Sequence, residues 1–344
     1  MYRLKYLLLP FLLSLLFSCD KKNNDKISRG FYYWKSKFEL GEKDQKQLNA
    51  LGAKKIYVKF FDVDWDEGTQ KPMPYATLQP KGALDSTFKI IPTVFITNRT
   101  FEKLDGYDLN TFENNVHNKI TQLVYCFHSP FKIEEVQIDC DWNESTRDKY
   151  FHFLKELKRD FDPDVKLTST IRLHQVKYFE KTGVPPVDRG MLMFYNMGDV
   201  TKLGNHNSIF NSKDASRYLT KFDKYPLPLD LALPVFSWAA VYRQGKLIQL
   251  ISDFEPTLSN NKYLSEIKPN IFKVAKSIEM KTFLAKPGDV IKFDITDPET
   301  TLEAARLIRS HLKDSVSVVL FDYNNLNLKR YNEEAFEDIF DIFN

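Results

Sequence analysis

Apolar and β-branched residues recur along the chain in eight short runs, and segments of helical or loop character separate them. Several runs are almost continuously apolar, among them IIPTVFI, MLMFY, LALPVF and VSVVLF, which is typical of parallel strands covered on both faces. Eight strands alternating with helices predict an α/β fold, specifically a closed (β/α)8 TIM-type barrel, with an open doubly wound sheet as the alternative. The predicted strands span residues 29–34, 55–65, 89–98, 135–142, 166–173, 190–196, 229–238 and 316–323.

Two of the intervening helices are marked by their first residues. Ser145, with Asp148 three residues later, is typical of a helix start. Asp297, Pro298 and Glu299 supply an N-cap, a first-turn proline and a first-turn acid. The second pattern predicts a helix that runs to about residue 312 and leads into the last strand.

Residues 239–295 break the alternation of strands and helices. The segment AAVYRQGKLIQLI has Gln244 and Gly245 between two alternating runs, and residues 283–295 have Pro287 and Gly288 in a similar setting. Both patterns predict β-hairpins or paired strands. We therefore expect a hairpin-containing insertion between strands seven and eight, placed where it walls one side of a cleft.

The N-terminal segment has the layout of a signal peptide. Arg3 and Lys5 precede an apolar run that is too short to span a bilayer, and the run ends in LFSC at residues 16–19. This ending resembles a lipobox, in which the chain is cut before Cys19 and the cysteine carries lipid. An ordinary secretory signal with an incidental cysteine is the alternative. We predict a lipoprotein signal peptide at 1–18, a polar flexible tether at 19–28 and a single barrel domain at 29–344.

Lipidation implies a protein anchored to a membrane of the cell envelope, and we expect the outer membrane or cell surface rather than the inner membrane. Loss of residues 1–18 removes two basic residues and no acidic one, so the formal net charge falls from +3 to +1. This near-neutral balance argues against a nucleic-acid partner. Since the chain has no metal-type spacing of cysteine and histidine and no phosphate-binding glycine loop, no cofactor or metal is expected.

Functional residues of such barrels lie at the C-terminal ends of the strands, and here those ends are rich in acids, amides and aromatic rings. All four tryptophans of the chain fall in this ring. Indoles stack on sugar rings, while carboxylates and amides bind hydroxyl groups, so the ring predicts a carbohydrate ligand. Packing at the barrel rim is the alternative for any single tryptophan. The ring comprises Trp34, Asp62, Asp64, Trp65, Asn98, Arg99, Asp139, Asp141, Trp142, Arg172, Tyr195, Asn196, Trp238, Asp322 and Tyr323.

The fourth strand carries the sharpest motif, QIDCDWNE at 137–144. Alternation along a strand places Gln137, Asp139 and Asp141 on the lumen side and the residues between them against the helices. Two neighbouring acids are costly to ionise together, so one of them should have a raised pKa, which is a common way to divide acid and base roles. A hydrogen-bond network without chemistry is the alternative.

The segment IDCDW at 138–142 resembles the strand-four signature of chitinase-like, family-eighteen glycoside hydrolases, which ends Asp-x-Asp-x-Glu. It is also similar to uncharacterised bacterial glycosyl-hydrolase-like lipoproteins. Tyr195, at the end of MLMFY, and the strand LALPVFSW agree with that layout. The glutamate that donates the proton in that family falls on Asn143 here, and the family's first aspartate falls on Val136. An asparagine amide cannot act as a general acid, and Glu144 would need a bulge to turn it inward.

Two function classes follow from these observations. A membrane-anchored glycoside hydrolase would use Asp141 as its central carboxylate with Asp139 beside it. A non-catalytic glycan-binding surface lipoprotein would keep the aromatic residues and lack a second carboxylate at working distance. The candidate second carboxylates are Asp62, Asp64, Glu144 and Asp322, and the candidate substrate-binding residues are Trp34, Trp65, Trp142, Arg172, Tyr195, Asn196 and Trp238.

Overall fold

The computed structural model describes residues 27–204, 206–252, 254, 258, 260–281, 283–312 and 316–344, and within them eight parallel strands form a closed barrel. Each strand pairs with its neighbours in chain order, and the first strand pairs with both the second and the eighth. The predicted (β/α)8 barrel is thereby confirmed over the open sheet. The strands are β1 Ser28–Tyr33, β2 Ala53–Asp66, β3 Lys89–Ile96, β4 Glu135–Asp139, β5 Lys166–Arg172, β6 Arg189–Met193, β7 Leu229–Pro234 and β8 Ser317–Phe321.

The predicted signal peptide at 1–18, the lipid attachment at Cys19 and most of the tether at 19–28 lie outside the described residues. Among the residues that are described, no helix is both long enough and apolar enough to cross a membrane.

Helices cover the outside of the barrel, and capping residues set where several of them begin. The Thr300 backbone N–H donates to Asp297 Oδ1 over 2.8 Å, as predicted for an N-cap. The helix after β4 begins at Arg147, and Asn143, not Ser145, supplies the acceptor side chain in the turn before it. The helices are Glu42–Ala50, Asn98–Lys103, Gly106–Val124, Arg147–Asp160, Leu173–Lys177, Phe179–Thr182, Ser212–Tyr218, the 3-10 helix Leu219–Lys224, Pro298–Arg309, Asn325–Leu328 and Glu333–Asp341.

The connection between β2 and β3 is extended rather than helical. Its residues Lys71–Tyr75 pair antiparallel with the end of β2, and Gln79–Pro80 pair with Lys37–Phe38. The register of β2 against β3 shifts between Lys59 and Phe61, and both Phe60 and Phe61 pack in the outer core. This bulge decides which later residues of β2 face the lumen.

The side chains of the barrel divide into an outer core and a separate lumen cluster. Val136, Ile138 and Cys140 belong to the outer core beneath the helices, whereas Gln137 accepts a hydrogen bond from Tyr32 Oη of the lumen cluster over 2.5 Å. The predicted alternation along β4 is therefore confirmed. The lumen cluster comprises Tyr32, Tyr57, Ile91, Met191, Met193, Tyr195, Ile209, Ala232, Phe236 and Val319, with Trp34, Trp238 and Phe321 partly buried against it.

An antiparallel sheet lies between β7 and β8. Its described strands are in the order Lys246–Ser252, Trp238–Arg243, Val290–Asp294, Ile271–Val274 and Leu264–Lys268, and Ile278–Met280 pairs with Phe283–Ala285 beside them. Gln244 and Gly245 form the turn of the first hairpin, with φ of 52° and 75°. Pro287 and Gly288 do not form a hairpin turn, because the strands on either side of them pair with different partners.

A buried acid between two helices makes stability dependent on pH. Burial, together with the nearby Asp160, raises the pKa of Glu113 to about 7. Because the folded pKa exceeds the ordinary value of 4.5, the stabilising contribution of protonated Glu113 is complete below about pH 4.5 and is lost as pH rises through 7. Glu113→Gln should therefore increase the free energy of unfolding by about 1–2 kcal/mol at pH 8 and hardly change it at pH 4.

Urea denaturation at both pH values measures this difference. Glu303→Gln, at an exposed helical position, is the matched control and should show no such dependence on pH. An equal effect of Glu113→Gln at pH 4 and pH 8 would contradict the explanation.

Candidate functional site

Two acids and an arginine meet where β4 and β5 end. Arg172 Nε donates to Asp141 Oδ1 over 2.5 Å, and Arg172 Nη2 lies 3.8 Å from Asp139 Oδ1. Thr170 Oγ1 also donates to Asp139 Oδ1, over 2.6 Å. The alternation of β5 places Thr170 and Arg172 on the lumen side, so the pairing of β4 with β5 determines this contact.

The two carboxylates differ in access to solvent. Asp139 is only 5% exposed, whereas the side chain of Asp141 is 52% exposed. Burial raises the pKa of Asp139, Arg172 opposes this change and Asp141 adds to it. Burial lowers the pKa of Arg172, but both carboxylates raise it by more, so it is a permanent cation between them. Asp139, whose pKa is raised, is thus enclosed, whereas Asp141, which solvent reaches, is ion-paired with Arg172.

Asn143 uses its side chain to build the turn before the next helix. Its Oδ1 accepts from the Ser145 backbone N–H over 2.9 Å and from Ser145 Oγ over 2.7 Å. Glu144 lies exposed in the same turn, where its charge acts on Arg147. Neither residue supplies a carboxyl group to the lumen.

The expectation that four tryptophans line the mouth is wrong for two of them. Trp142 is fully buried, stacks on Tyr150 at a centroid distance of 5.2 Å and donates from Nε1 to the Thr182 carbonyl over 2.9 Å. It lies on the same side of the chain as Ile138 and Cys140, which face the helices. Trp65 is also buried in the outer core, because the bulge in β2 turns it to that side.

Trp34 and Trp238 lie at the lumen side with Tyr195. Trp34 is partly exposed, packs against Phe321 and has Lys59 Nζ 5.7 Å from its ring. Tyr195 is 4% exposed and donates to Met193 Sδ over 3.1 Å. Tyr195 therefore contributes mainly to the floor of the mouth.

The other predicted acids are held in separate contacts. Asp62 is ion-paired with Lys59 at 2.9 Å, and its Oδ1 is buried without a hydrogen-bond partner among the described residues. Burial raises the pKa of Asp64, but hydrogen bonds from Arg99 and Thr97 lower it by more. Asp322 is buried and accepts from Asn327 Nδ2 over 2.8 Å. The charge of Asp62 is among those that raise the pKa of Asp139.

An open cavity of about 330 Å³ adjoins Asp141 and Arg172. Its volume is in the range of small-ligand sites, and Asn196, a predicted site residue with a φ of 55°, belongs to its wall. Tyr218 comes from a helix distant in sequence, and no local pattern could have identified it. Among the described residues, no group of three or more histidine, cysteine or acidic side chains could hold a metal ion. The lining residues are Asp141, Arg172, Leu173, His174, Tyr195, Asn196, Met197 and Tyr218.

The opposite orientations of Trp142 and Trp34 predict different costs of truncation. Trp142→Ala should lower the free energy of unfolding by about 3–5 kcal/mol, because it leaves a large cavity in the outer core. Trp34→Ala, the same truncation at a partly exposed position, should cost less than about 2 kcal/mol. Chemical denaturation measures both values, and equal losses would contradict the placement of the two rings.

Comparisons with known proteins identify the fold. No protein-family model and no curated protein sequence matches the chain. The spore cortex-lytic enzyme SleL of Bacillus cereus has a similar structure, with a TM-score of 0.54 and 12% identity over 92% of this chain and 75% of that one. The chitinase of Chromobacterium violaceum has a TM-score of 0.52 and 10% identity over 91% of this chain and 98% of that one. A family 18 chitinase mutant of Cycas revoluta, in complex with (GlcNAc)4, has a TM-score of 0.53 and 13% identity over 92% of this chain and 100% of that one. The chain thus has the chitinase-like (β/α)8 barrel fold of family 18 glycoside hydrolases.

Proposed function

We propose that this protein binds an oligosaccharide at the C-terminal face of its barrel and does not hydrolyse it. One observation carries the proposal: Arg172 is ion-paired with the accessible carboxylate, Asp141, at 2.5 Å. The position that resembles the proton-donating glutamate is Asn143, which is engaged in a helix-capping turn.

Hydrolysis of a glycoside needs a proton donor that reaches the glycosidic oxygen. Asp139 has the raised pKa that suits a donor, but it is enclosed and already accepts a hydrogen bond from Thr170. Asp141 reaches the cavity, but its charge is held by Arg172. Since accessibility and a raised pKa belong to different residues, the pair is unsuited to general acid catalysis.

The same arrangement suits binding. A guanidinium beside a carboxylate offers several donors and acceptors to hydroxyl and acetamido groups, and Trp34 and Trp238 offer ring faces for stacking. Because a protein of the same fold was solved with (GlcNAc)4, this oligosaccharide is the first ligand to test.

Calorimetric titration with (GlcNAc)4 and with other oligosaccharides of equal length tests the proposal. The wild-type chain should bind at least one of them and release no reducing ends during long incubation. Asp141→Asn should change the affinity only a few-fold, because the amide keeps an acceptor and the size of the side chain. Glu144→Gln is the matched control and should leave binding unchanged, since Glu144 is exposed in the turn before the helix at Arg147 and belongs neither to the lumen cluster nor to the cavity lining.

Turnover by the wild-type chain that Asp141→Asn abolishes would instead establish the alternative, a glycoside hydrolase with Asp141 as its central carboxylate. Hydrolysis that persists in Asp141→Asn would remove Asp141 from the mechanism and leave Asp62 as the next candidate for the catalytic carboxylate.

We also propose that the protein is a lipoprotein of the cell envelope, anchored through lipid on Cys19 at the outer membrane or cell surface. The basic start, the apolar run and LFSC at 16–19 support this proposal. Since β1 begins at Ser28, a tether of about 30 Å at most would join the anchor to the N-terminal face of the barrel.

Cys19→Ala should abolish lipidation and move the protein from the detergent phase to the aqueous phase in a detergent-partition experiment. Cys126→Ala removes an exposed free cysteine and should leave partitioning unchanged. Equal partitioning of the wild type and Cys19→Ala would refute the anchor.

A further inference from the structure

Trp238 is one of the two tryptophans at the lumen side, and it is also the first residue of the inserted sheet. Its ring packs on Phe236 with a centroid distance of 5.4 Å. The residue therefore stands where the barrel mouth and the insertion meet, and the orientation of its indole depends on both parts.

The indole N–H of Trp238 is held from the insertion. It donates to Asp294 Oδ2 over 3.1 Å and lies 3.3 Å from Ser208 Oγ. Trp238 and Asp294 are directly opposite each other in the antiparallel sheet. Ser208, from the loop after β6, donates to the same carboxylate oxygen over 2.5 Å.

The other oxygen of Asp294 belongs to a buried ion pair. Lys292 Nζ lies 3.0 Å from Asp294 Oδ1, and the two side chains are only 4% and 2% exposed. Lys292 Nζ also donates to the His206 carbonyl over 2.7 Å. Both oxygens of the carboxylate are thereby used, and the group joins the insertion to the loop after β6.

A buried ion pair is poor evidence for stability, because the cost of desolvating both charges can exceed their attraction. An apolar pair of similar size would fill the same space at no greater cost. An apolar pair would lack the carboxylate that accepts from Trp238 Nε1 over 3.1 Å. Only the longer contact of 3.3 Å to Ser208 Oγ would then restrain the indole N–H, and the ring would adopt other rotamers more readily.

We propose that Asp294, with Lys292 fixing its orientation, is a positioning residue that holds the plane of Trp238 ready for the glycan. This inference rests on the proposed function. Ordering a side chain during binding lowers affinity by about three- to tenfold, and a preordered ring avoids that loss.

Two double variants isolate the acceptor. Lys292→Met with Asp294→Leu removes both charges and the carboxylate acceptor and leaves only Ser208 Oγ near the indole N–H. Lys292→Met with Asp294→Asn removes both charges and keeps an acceptor side chain of the same size. Single removal of Lys292 or Asp294 is avoided, because it would leave one buried charge without its partner.

The first readout is the indole N–H signal of Trp238 in ¹⁵N-labelled protein, assigned with Trp238→Phe. The signal should be protected from solvent exchange in the wild type and in the asparagine variant, and exposed or broadened in the leucine variant. The second readout is the affinity for (GlcNAc)4 or whichever oligosaccharide the wild type binds. It should fall about three- to tenfold in the leucine variant and recover at least in part in the asparagine variant, with similar thermal midpoints.

An unchanged Trp238 signal in the leucine variant would overturn the proposal, because Asp294 would then not hold the ring. An altered signal with unchanged affinity would overturn it as well, because the orientation of the ring would not matter to the ligand. A wild-type chain that binds no oligosaccharide would refute the proposed function, and with it the ligand role of Asp294, even where Asp294 still held the indole.

Discussion

Because the barrel is closed, the side chain of each strand residue points either into the lumen or into the outer core, and the rest of the structure depends on this constraint. The outer positions are almost uniformly apolar because helices cover them, whereas the lumen accommodates Gln137, Asp139 and Thr170 in a hydrogen-bonded network. The bulge near Lys59 and Phe61 changes the side to which the end of β2 turns. One shift of this kind moves Asp62 inward and Trp65 outward.

The second determinant is the charge of Arg172. Two acids brought together by β4 would repel each other in a partly enclosed lumen, and a guanidinium between them makes the arrangement tolerable. The same contact limits the chemistry, because a carboxylate held by arginine is a poor proton donor. With Asn143 engaged in a turn, neither Asp139 nor Asp141 combines a raised pKa with access to the cavity, and the proposal of binding without hydrolysis rests on this separation.

The insertion supplies part of the barrel mouth, because Trp238 belongs to its sheet and packs against the lumen cluster. Asp294 reaches Trp238 and Ser208 at once, so one carboxylate links the inserted sheet, the end of β7 and the loop after β6. Because Lys292 and Asp294 are almost completely buried, their geometry is specified by packing on all sides. If the proposed binding face is assembled in this way, it would need little rearrangement when a ligand arrives.

By itself the sequence determined the barrel class, the approximate strand positions and the lumen side of Asp139 and Asp141, because hydrophobic runs and alternation are local properties. The same alternation, carried one residue beyond Asp141, would have placed Trp142 against the helices. Only the tertiary structure determined which acids lie beside a cation, since Arg172 and Asp141 are 31 positions apart in the sequence. It also determined the contact between Trp238 and Asp294, which are 56 positions apart. Such contacts depend on strand register and on how an insertion packs, and neither is encoded within a short window of residues.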